Sequence, residues 1–174
     1  MRVAVAIAIA LCLNSAPAKA QQFTLQTVSD SLSWLVLTTD STEDRWRLPY
    51  PVYQFQTGDI DGNGITDAIV GVIKPTRFYP EPARRLFIFK NFRGKVRPMW
   101  MGSRLGGILQ DFLFIDDKGG DNSQMGLIRS LETTTSGRYV VADYRWQGFG
   151  MGFERFVVKA VGRDEAMKAF NTDH

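Results

Sequence analysis

The sequence predicts an all-β protein, built mainly as an antiparallel meander, with a short C-terminal helix. Two observations predict this class. Short runs rich in Val, Ile, Phe, Tyr and Trp are separated by Gly, Pro, Asn and Asp along the chain. These candidate strands also follow one another closely, and closely spaced strands usually pair antiparallel with their sequence neighbours. A propeller-blade-like sheet, a barrel and a sandwich all agree with this pattern.

The first twenty residues are expected to be a secretory signal peptide. Arg2 supplies a positive charge, residues 3–13 form an apolar run, and residues 18–20 read Ala-Lys-Ala, which suits a cleavage site. The apolar run is too short to cross a bilayer of about 30 Å. We therefore expect a secreted or periplasmic protein with no transmembrane segment after cleavage, in which residues 21–174 form a single β-rich domain.

The composition outside this leader limits the classes of function. The remaining 154 residues hold 19 Lys and Arg against 18 Asp and Glu, so the charge balance gives no reason to expect a nucleic acid partner. The only cysteine is Cys12 in the leader, and the only histidine is the terminal His174. A terminal imidazole is poorly held for catalysis, which disfavours Ser-His-Asp, Cys-His and zinc chemistry. Oxygen-ligand chemistry and binding remain.

Apolar and aromatic runs nominate nine strands, at residues 23–28, 32–38, 52–57, 68–73, 85–91, 96–101, 125–131, 138–146 and 153–161. Turn-forming residues separate many of them, at 91–95, 116–122, 134–137 and 147–152.

Three further segments are assigned on other grounds. Residues 76–83 are predicted to be a loop, because the prolines in and before the segment lack backbone donors. The apolar spacing within residues 105–116 suits a helix as well as a strand, so both remain open. Residues 163–171 are predicted to form the C-terminal helix, with Asp164 and Glu165 in its first turn.

Residues 59–67 carry a pattern with specific chemistry. They read Asp-Ile-Asp-Gly-Asn-Gly-Ile-Thr-Asp, so oxygen-bearing side chains occupy loop positions 1, 3, 5 and 9. Calcium takes roughly six to eight oxygen ligands from a chain that winds tightly round it, and the glycines at positions 4 and 6 permit such a turn. The predicted calcium ligands are Asp59, Asp61, Asn63, the carbonyl of Ile65 and Asp67.

The loop is predicted to join two strands rather than two helices. Position 12, which holds a bidentate Glu in an EF-hand, is Val70. Tyr53 and Phe55 alternate with glutamines before the loop, as in a strand with two different faces. Residues 68–73 after the loop form a continuous apolar run, which indicates a strand buried on both faces.

The alternative is an acidic hairpin turn that holds no ion. Three carboxylates within about 5 Å of one another would then repel by roughly 3 kcal/mol per pair at an effective dielectric constant of about 20. Calcium is therefore the favoured interpretation, with a dissociation constant on the order of 10⁻⁴–10⁻³ M, as in other extracellular modules.

Residues 58–71 resemble the FG-GAP/VCBS-type repeat, the calcium-loop hairpin of integrin α-subunit propellers and of many secreted bacterial proteins. The resemblance is a single copy that covers about residues 52–73. It implies a β-hairpin that holds calcium through the five residues named above. Family members usually repeat the unit around a propeller. In residues 116–122, another acidic stretch, Lys118 and Gly120 break the alternation.

Other aromatic and charged residues allow only less specific predictions. Most aromatic rings are expected to fill the core, with Trp46, Tyr79 and Phe149 as expected exceptions. Arg77, Arg84 and Arg85 are expected to be solvated surface residues, although they could also meet an acidic partner. The carboxylates available for a catalytic pair are Asp111, Asp116, Asp117, Asp121, Glu132 and Asp143, and no two of them are singled out.

The sequence thus favours a calcium-binding, non-enzymatic β-rich protein of the cell exterior. Binding, adhesion or envelope assembly is its expected role, with a protein or glycan as partner. The alternative is a carbohydrate-binding module or a small polysaccharide-active enzyme that uses exposed aromatic rings and a carboxylate pair.

Overall fold

The computed structural model describes residues 21–102, 104–116 and 125–172. The predicted leader, His174 and most of the acidic stretch at 116–122 lie outside these described residues. Within them the chain forms eleven strands and one helix, which confirms the predicted all-β class with a short helix at the C-terminal end.

The strands form three antiparallel sheets, and each sheet is a meander of consecutive strands. The first sheet contains β1 (Gln22–Ser29), β2 (Leu32–Thr38) and β3 (Glu43–Leu48). The second contains β4 (Val52–Gly58), β5 (Asp67–Lys74), β6 (Ala83–Phe92) and β7 (Lys95–Met101). The third contains β8 (Ile108–Ile115), β9 (Leu127–Thr133), β10 (Tyr139–Trp146) and β11 (Met151–Val161), and α1 (Arg163–Phe170) follows it.

The sheets stack face to face, with the second sheet in the middle. One apolar cluster joins the first and second sheets and includes Leu35, Leu37, Val70 and Phe87. Another joins the second and third sheets and includes Ile69, Ile88, Phe112 and Ile128. A third cluster, with Leu131, Val141, Ala166 and Phe170, seals α1 against the third sheet. This layering is that of a sandwich or of neighbouring propeller blades.

The central strand β5 is buried on both faces, as its continuous apolar run predicts. Ala68, Val70 and Val72 belong to the cluster that faces the first sheet, whereas Ile69 belongs to the cluster that faces the third. All four side chains are fully buried. Because successive side chains of a strand point to opposite faces, a strand packed between two sheets needs apolar side chains on both faces of its central part.

The structure corrects the sequence predictions at β3 and at Trp46, and it decides between helix and strand for residues 105–116. β3 is a strand that the sequence did not predict, because four of its six residues are charged and it lies at a sheet edge. Trp46 lies in β3 and packs on Phe89 at 5.6 Å between ring centroids, so its predicted exposure is wrong. Residues 108–115 form a strand, since they pair along β9.

The remaining boundaries agree closely with the sequence analysis. Residues 75–82 form the predicted loop before β6, and the predicted turn at 91–95 is the β6–β7 hairpin, with Arg93 and Gly94 in left-handed conformation. No helix in the described ranges is long and apolar enough to cross a membrane.

Candidate metal centre

The loop between β4 and β5 is wound around one carboxylate. Oδ1 of Asp59 accepts hydrogen bonds from the backbone N–H groups of Gly62 and Asn63, at 2.8 and 3.1 Å, and Oδ2 accepts one from Gly64 at 2.7 Å. Gly62 and Gly64 adopt left-handed conformations, with φ of 71° and 79°. L side chains are disfavoured there, which explains why glycine occupies both positions.

This winding brings three carboxylates together. One oxygen each from Asp59, Asp61 and Asp67 lie within 4.8 Å of one another. Asp67 opens β5 and is fully buried, and its Oδ2 accepts the N–H of Ile60 at 3.1 Å. Its Oδ1 and the Oδ1 of Asp61 are buried and find no hydrogen-bond partner in the part of the chain that the structure describes. Two buried acceptors thus face a cluster of like charge.

Burial and the neighbouring carboxylates raise the pKa of Asp67. Burial raises the pKa of Asp67 most, to about 7, because it penalises the charged form. The hydrogen bond from Ile60 lowers this pKa, the charges of Asp61 and Asp59 raise it further, and Lys90 lowers it. The folded chain on its own therefore resists the ionisation of this carboxyl at neutral pH.

The other two predicted ligands lie at the exposed tip of the loop. Oδ1 of Asn63 accepts the N–H of Ile65 at 2.7 Å, which shapes the turn, and an amide oxygen has a second lone pair for another donor or an ion. Ile65 is 41% exposed, and because its side chain carries no ligand atom, only its main-chain carbonyl could serve a metal. The structure therefore groups the three aspartates and leaves Asn63 and Ile65 as candidates.

The third sheet holds the base of the loop in place. The carbonyl of Asp59 accepts the N–H of Gly126 at 2.9 Å, and Ile60 is fully buried between the second and third sheets. A Cβ on Gly62 would lie 2.6 Å from Cγ of Met125, so the loop backbone passes directly beneath that side chain. The carboxylates are thus attached to a packed interface rather than to a free hairpin.

The donor set restricts what the site can bind. It consists of carboxylate oxygens, an amide oxygen and a carbonyl, without imidazole or thiolate. Such ligands suit hard cations such as calcium and magnesium rather than zinc or copper. A cation would also supply the partners that the two buried Oδ1 atoms lack.

The described carboxylates among those considered for a catalytic pair have structural partners. Asp143 is buried and bonded by Arg129 at 2.8 and 3.1 Å and by Arg155 at 2.9 Å. Burial raises its pKa, but these two arginines outweigh burial and keep the pKa below its ordinary value. The buried Glu132 accepts hydrogen bonds from Ser130 and Gly107.

Asp143 and Glu132 cannot form a catalytic pair. Asp143 pairs in register with Arg129, and Glu132 with Val140, so strand alternation places the two carboxylates on opposite faces of the third sheet. Oδ1 of Asp111 accepts the N–H of Phe112. Asp117 and Asp121 lie outside the described residues.

The predicted aromatic exceptions are confirmed at Tyr79 and Phe149, which are 37% and 89% exposed. The exposure of Phe153 and Phe156 was not predicted; these rings lie on β11 with their centroids 4.6 Å apart. They line a cavity of about 480 Å³ that also contains Glu132 and Tyr144. The sequence of β11 gives no sign that these rings are exposed. Their exposure comes from the position of β11 at the edge of the third sheet, where part of either face stays uncovered.

The chain matches no protein-family model, and no curated protein matches it. The fold and the loop geometry therefore define its class: an all-β protein of stacked antiparallel meanders that carries a turn with three converging aspartates.

Proposed function

We propose that the protein binds one calcium ion in the 59–67 loop. The observation that carries this proposal is the fully buried Asp67. Its Oδ1 has no donor among the described residues, and one of its oxygens lies within 4.8 Å of oxygens from two further carboxylates. An acidic turn without an ion does not need a buried, unpartnered carboxylate oxygen, and such an oxygen costs free energy.

The ion has a structural role in this proposal. A double positive charge offsets the mutual repulsion of the three carboxylates and supplies a partner to both unpartnered Oδ1 atoms. The loop leads from β4 into the central strand β5 and touches the third sheet through Gly126. Calcium therefore stabilises the turn and the contact between the second and third sheets.

The setting of this function is the cell exterior, where the leader expected at residues 1–20 directs the chain. We propose a non-enzymatic role there, in binding, adhesion or envelope assembly, with a protein or glycan as partner. Millimolar calcium outside cells matches the weak affinity typical of extracellular modules, on the order of 10⁻⁴–10⁻³ M.

Thermal unfolding tests the calcium proposal. Calcium at about ten times its dissociation constant stabilises the folded state by roughly 1.4 kcal/mol through mass action. In a chain of this size that corresponds to a rise in melting temperature of about 3–6 °C. Asp61→Asn should abolish the rise, whereas Asp40→Asn, in an exposed turn remote in sequence from the loop, should retain it. If the wild type has the same melting temperature in calcium as in chelator, the proposal is contradicted.

A second candidate function rests on the cavity beside β11. Phe153 and Phe156 are about half exposed, and the cavity they line also contains the buried carboxylate of Glu132. Exposed rings beside a polar group can stack on a sugar and bond its hydroxyls. Retention on insoluble polysaccharides tests this function: Phe156→Ala should abolish it, and Phe149→Ala, a more exposed ring in the β10–β11 turn, should not. Absence of retention by the wild type excludes it for the glycans used.

A further inference from the structure

A second site, apart from the acidic loop, is indicated by a buried arginine that lacks a hydrogen-bond acceptor. Arg85 lies in β6 and is only 6% exposed, which contradicts the expectation that it is a solvated surface residue. Its Nε is buried without an acceptor, and its guanidinium makes no hydrogen bond or ion pair within the described ranges. Arg129 shows the usual solution, since it is buried in a two-bond ion pair with Asp143.

Arg104 brings a second positive charge to the same place. Its Nε donates to the carbonyl of Gly107 at 3.1 Å, and its terminal nitrogens find no acceptor in the described part of the chain. The guanidinium carbons of Arg85 and Arg104 lie 5.6 and 5.3 Å from the ring centre of Tyr79. Burial, and next the charge of Arg104, lower the pKa of Arg85. Two like charges therefore converge on one ring.

The two arginines open onto a cavity of about 220 Å³. A single water in the liquid takes about 30 Å³, so the space is large enough for a small anion with an apolar substituent. Its walls combine the two guanidinium groups with apolar side chains. The lining residues are Tyr79, Pro80, Glu81, Ala83, Arg85, Arg104 and Ile108.

Glu81 is the carboxylate on this wall. It lies in the 75–82 loop, is exposed, and forms no ion pair with either arginine in the described structure. The positive charge of the cavity is therefore not neutralised by the carboxylate that lines it.

We propose that this cavity binds a small oxyanion, a carboxylate or phosphate group, between Arg85 and Arg104. A guanidinium group presents a planar fork of donors that matches the oxygens of both anions, and the nitrogens without acceptors at this site supply such donors. The ring of Tyr79 and the side chain of Ile108 form the wall against which the rest of the ligand packs. The site lies apart from the calcium loop and does not depend on it.

Titration calorimetry and thermal unfolding with inorganic phosphate and with benzoate test the proposal. Both run in calcium-free buffer at constant ionic strength, with chloride as the reference anion, so the outcome is separate from calcium binding. The wild type should bind at least one of the two anions saturably below about 10 mM, the weak end of specific binding. Preference for phosphate or for benzoate then distinguishes the two sources of the oxyanion group.

Three variants sharpen the test. Arg85→Met should weaken the binding at least tenfold and should raise the melting temperature in anion-free buffer, because it removes an unpaired buried charge. Arg104→Gln should weaken the binding without that rise. Arg84→Gln is the matched control, since this neighbouring arginine also stacks on a tyrosine, Tyr53, but donates to the carbonyl of Gln110.

Several results would overturn the proposal. These are the absence of saturable binding of either anion to the wild type, or equal weakening by Arg84→Gln and Arg85→Met. Binding that appears only in Glu81→Gln would show that the carboxylate of the chain itself fills the cavity in solution, and would overturn it too. If Arg85→Met does not fold, an anion affinity of Arg104→Gln equal to that of the wild type would overturn the proposal.

Discussion

The sharpest prediction concerns the pH dependence that Asp67 gives to folding and to calcium binding. Its pKa is about 7 in the folded chain, against an ordinary value of 3.8. Between these pH values the folded protein binds more protons than the unfolded chain, so the calcium-free free energy of unfolding should fall as the pH rises from about 4 to about 7. The difference of roughly three pH units corresponds to roughly 4 kcal/mol.

Calcium should offset part of this fall in stability as the pH rises. The ion binds the ionised carboxylate, so each pH unit below about 7 should weaken the apparent affinity about tenfold. Between pH 7 and pH 5 the loss should reach about a hundredfold, which makes the binding negligible at millimolar calcium. Urea unfolding at pH 4–9, with and without calcium, measures both effects.

Asp67→Asn provides the comparison, because the amide keeps the shape and the acceptor for Ile60 but does not titrate. In calcium-free buffer at pH 8 the variant should be more stable than the wild type, by up to about 4 kcal/mol, and it should not respond to calcium. Subtracting the free energy of unfolding of one protein from that of the other removes the contribution of the other titrating groups. If this difference does not change between pH 4 and pH 8, the reasoning about Asp67 is refuted.

Three further predictions concern the fold. Gly62→Ala should destabilise more than Gly64→Ala by urea unfolding: both strain a left-handed residue, by about 1–2 kcal/mol, but at Gly62 the Cβ also meets a methionine side chain at 2.6 Å. Arg129→Met should cost roughly 3–5 kcal/mol, because it removes the main partner of the buried Asp143, and a loss under 1 kcal/mol would contradict this. Phe112→Ala should cost roughly 3–5 kcal/mol by opening the core between the second and third sheets, and should leave near-ultraviolet circular dichroism weakened but not absent.

The parts of the structure that the sequence predicts correctly are those set by local chemistry. The continuous apolar run of β5 indicates burial on both faces, because each side chain in a strand alternates between two surfaces. The spacing of Asp59, Asp61 and Asp67 indicates convergence, because a tight turn with two left-handed glycines returns the chain on itself. Both inferences need only neighbouring residues.

The parts that it does not predict depend on distant partners. The burial of Trp46 depends on Phe89, which lies in a different sheet. Whether residues 108–115 form a helix or a strand is decided by pairing with β9, which periodicity cannot show. Arg85 is adjacent in sequence to another arginine, a pattern typical of a solvated surface, and only the packing of the loop and of Arg104 encloses it.

The double packing of β5 has a consequence for ion selectivity under the proposed calcium function. Asp67 begins a strand that two cores hold, so it cannot follow an ion of different radius. Asp59 and Asp61 lie in a turn whose two glycines allow it to contract or widen. Discrimination between calcium and the smaller magnesium is therefore set by residues 59–64, and substitutions there can retune it without disturbing the cores.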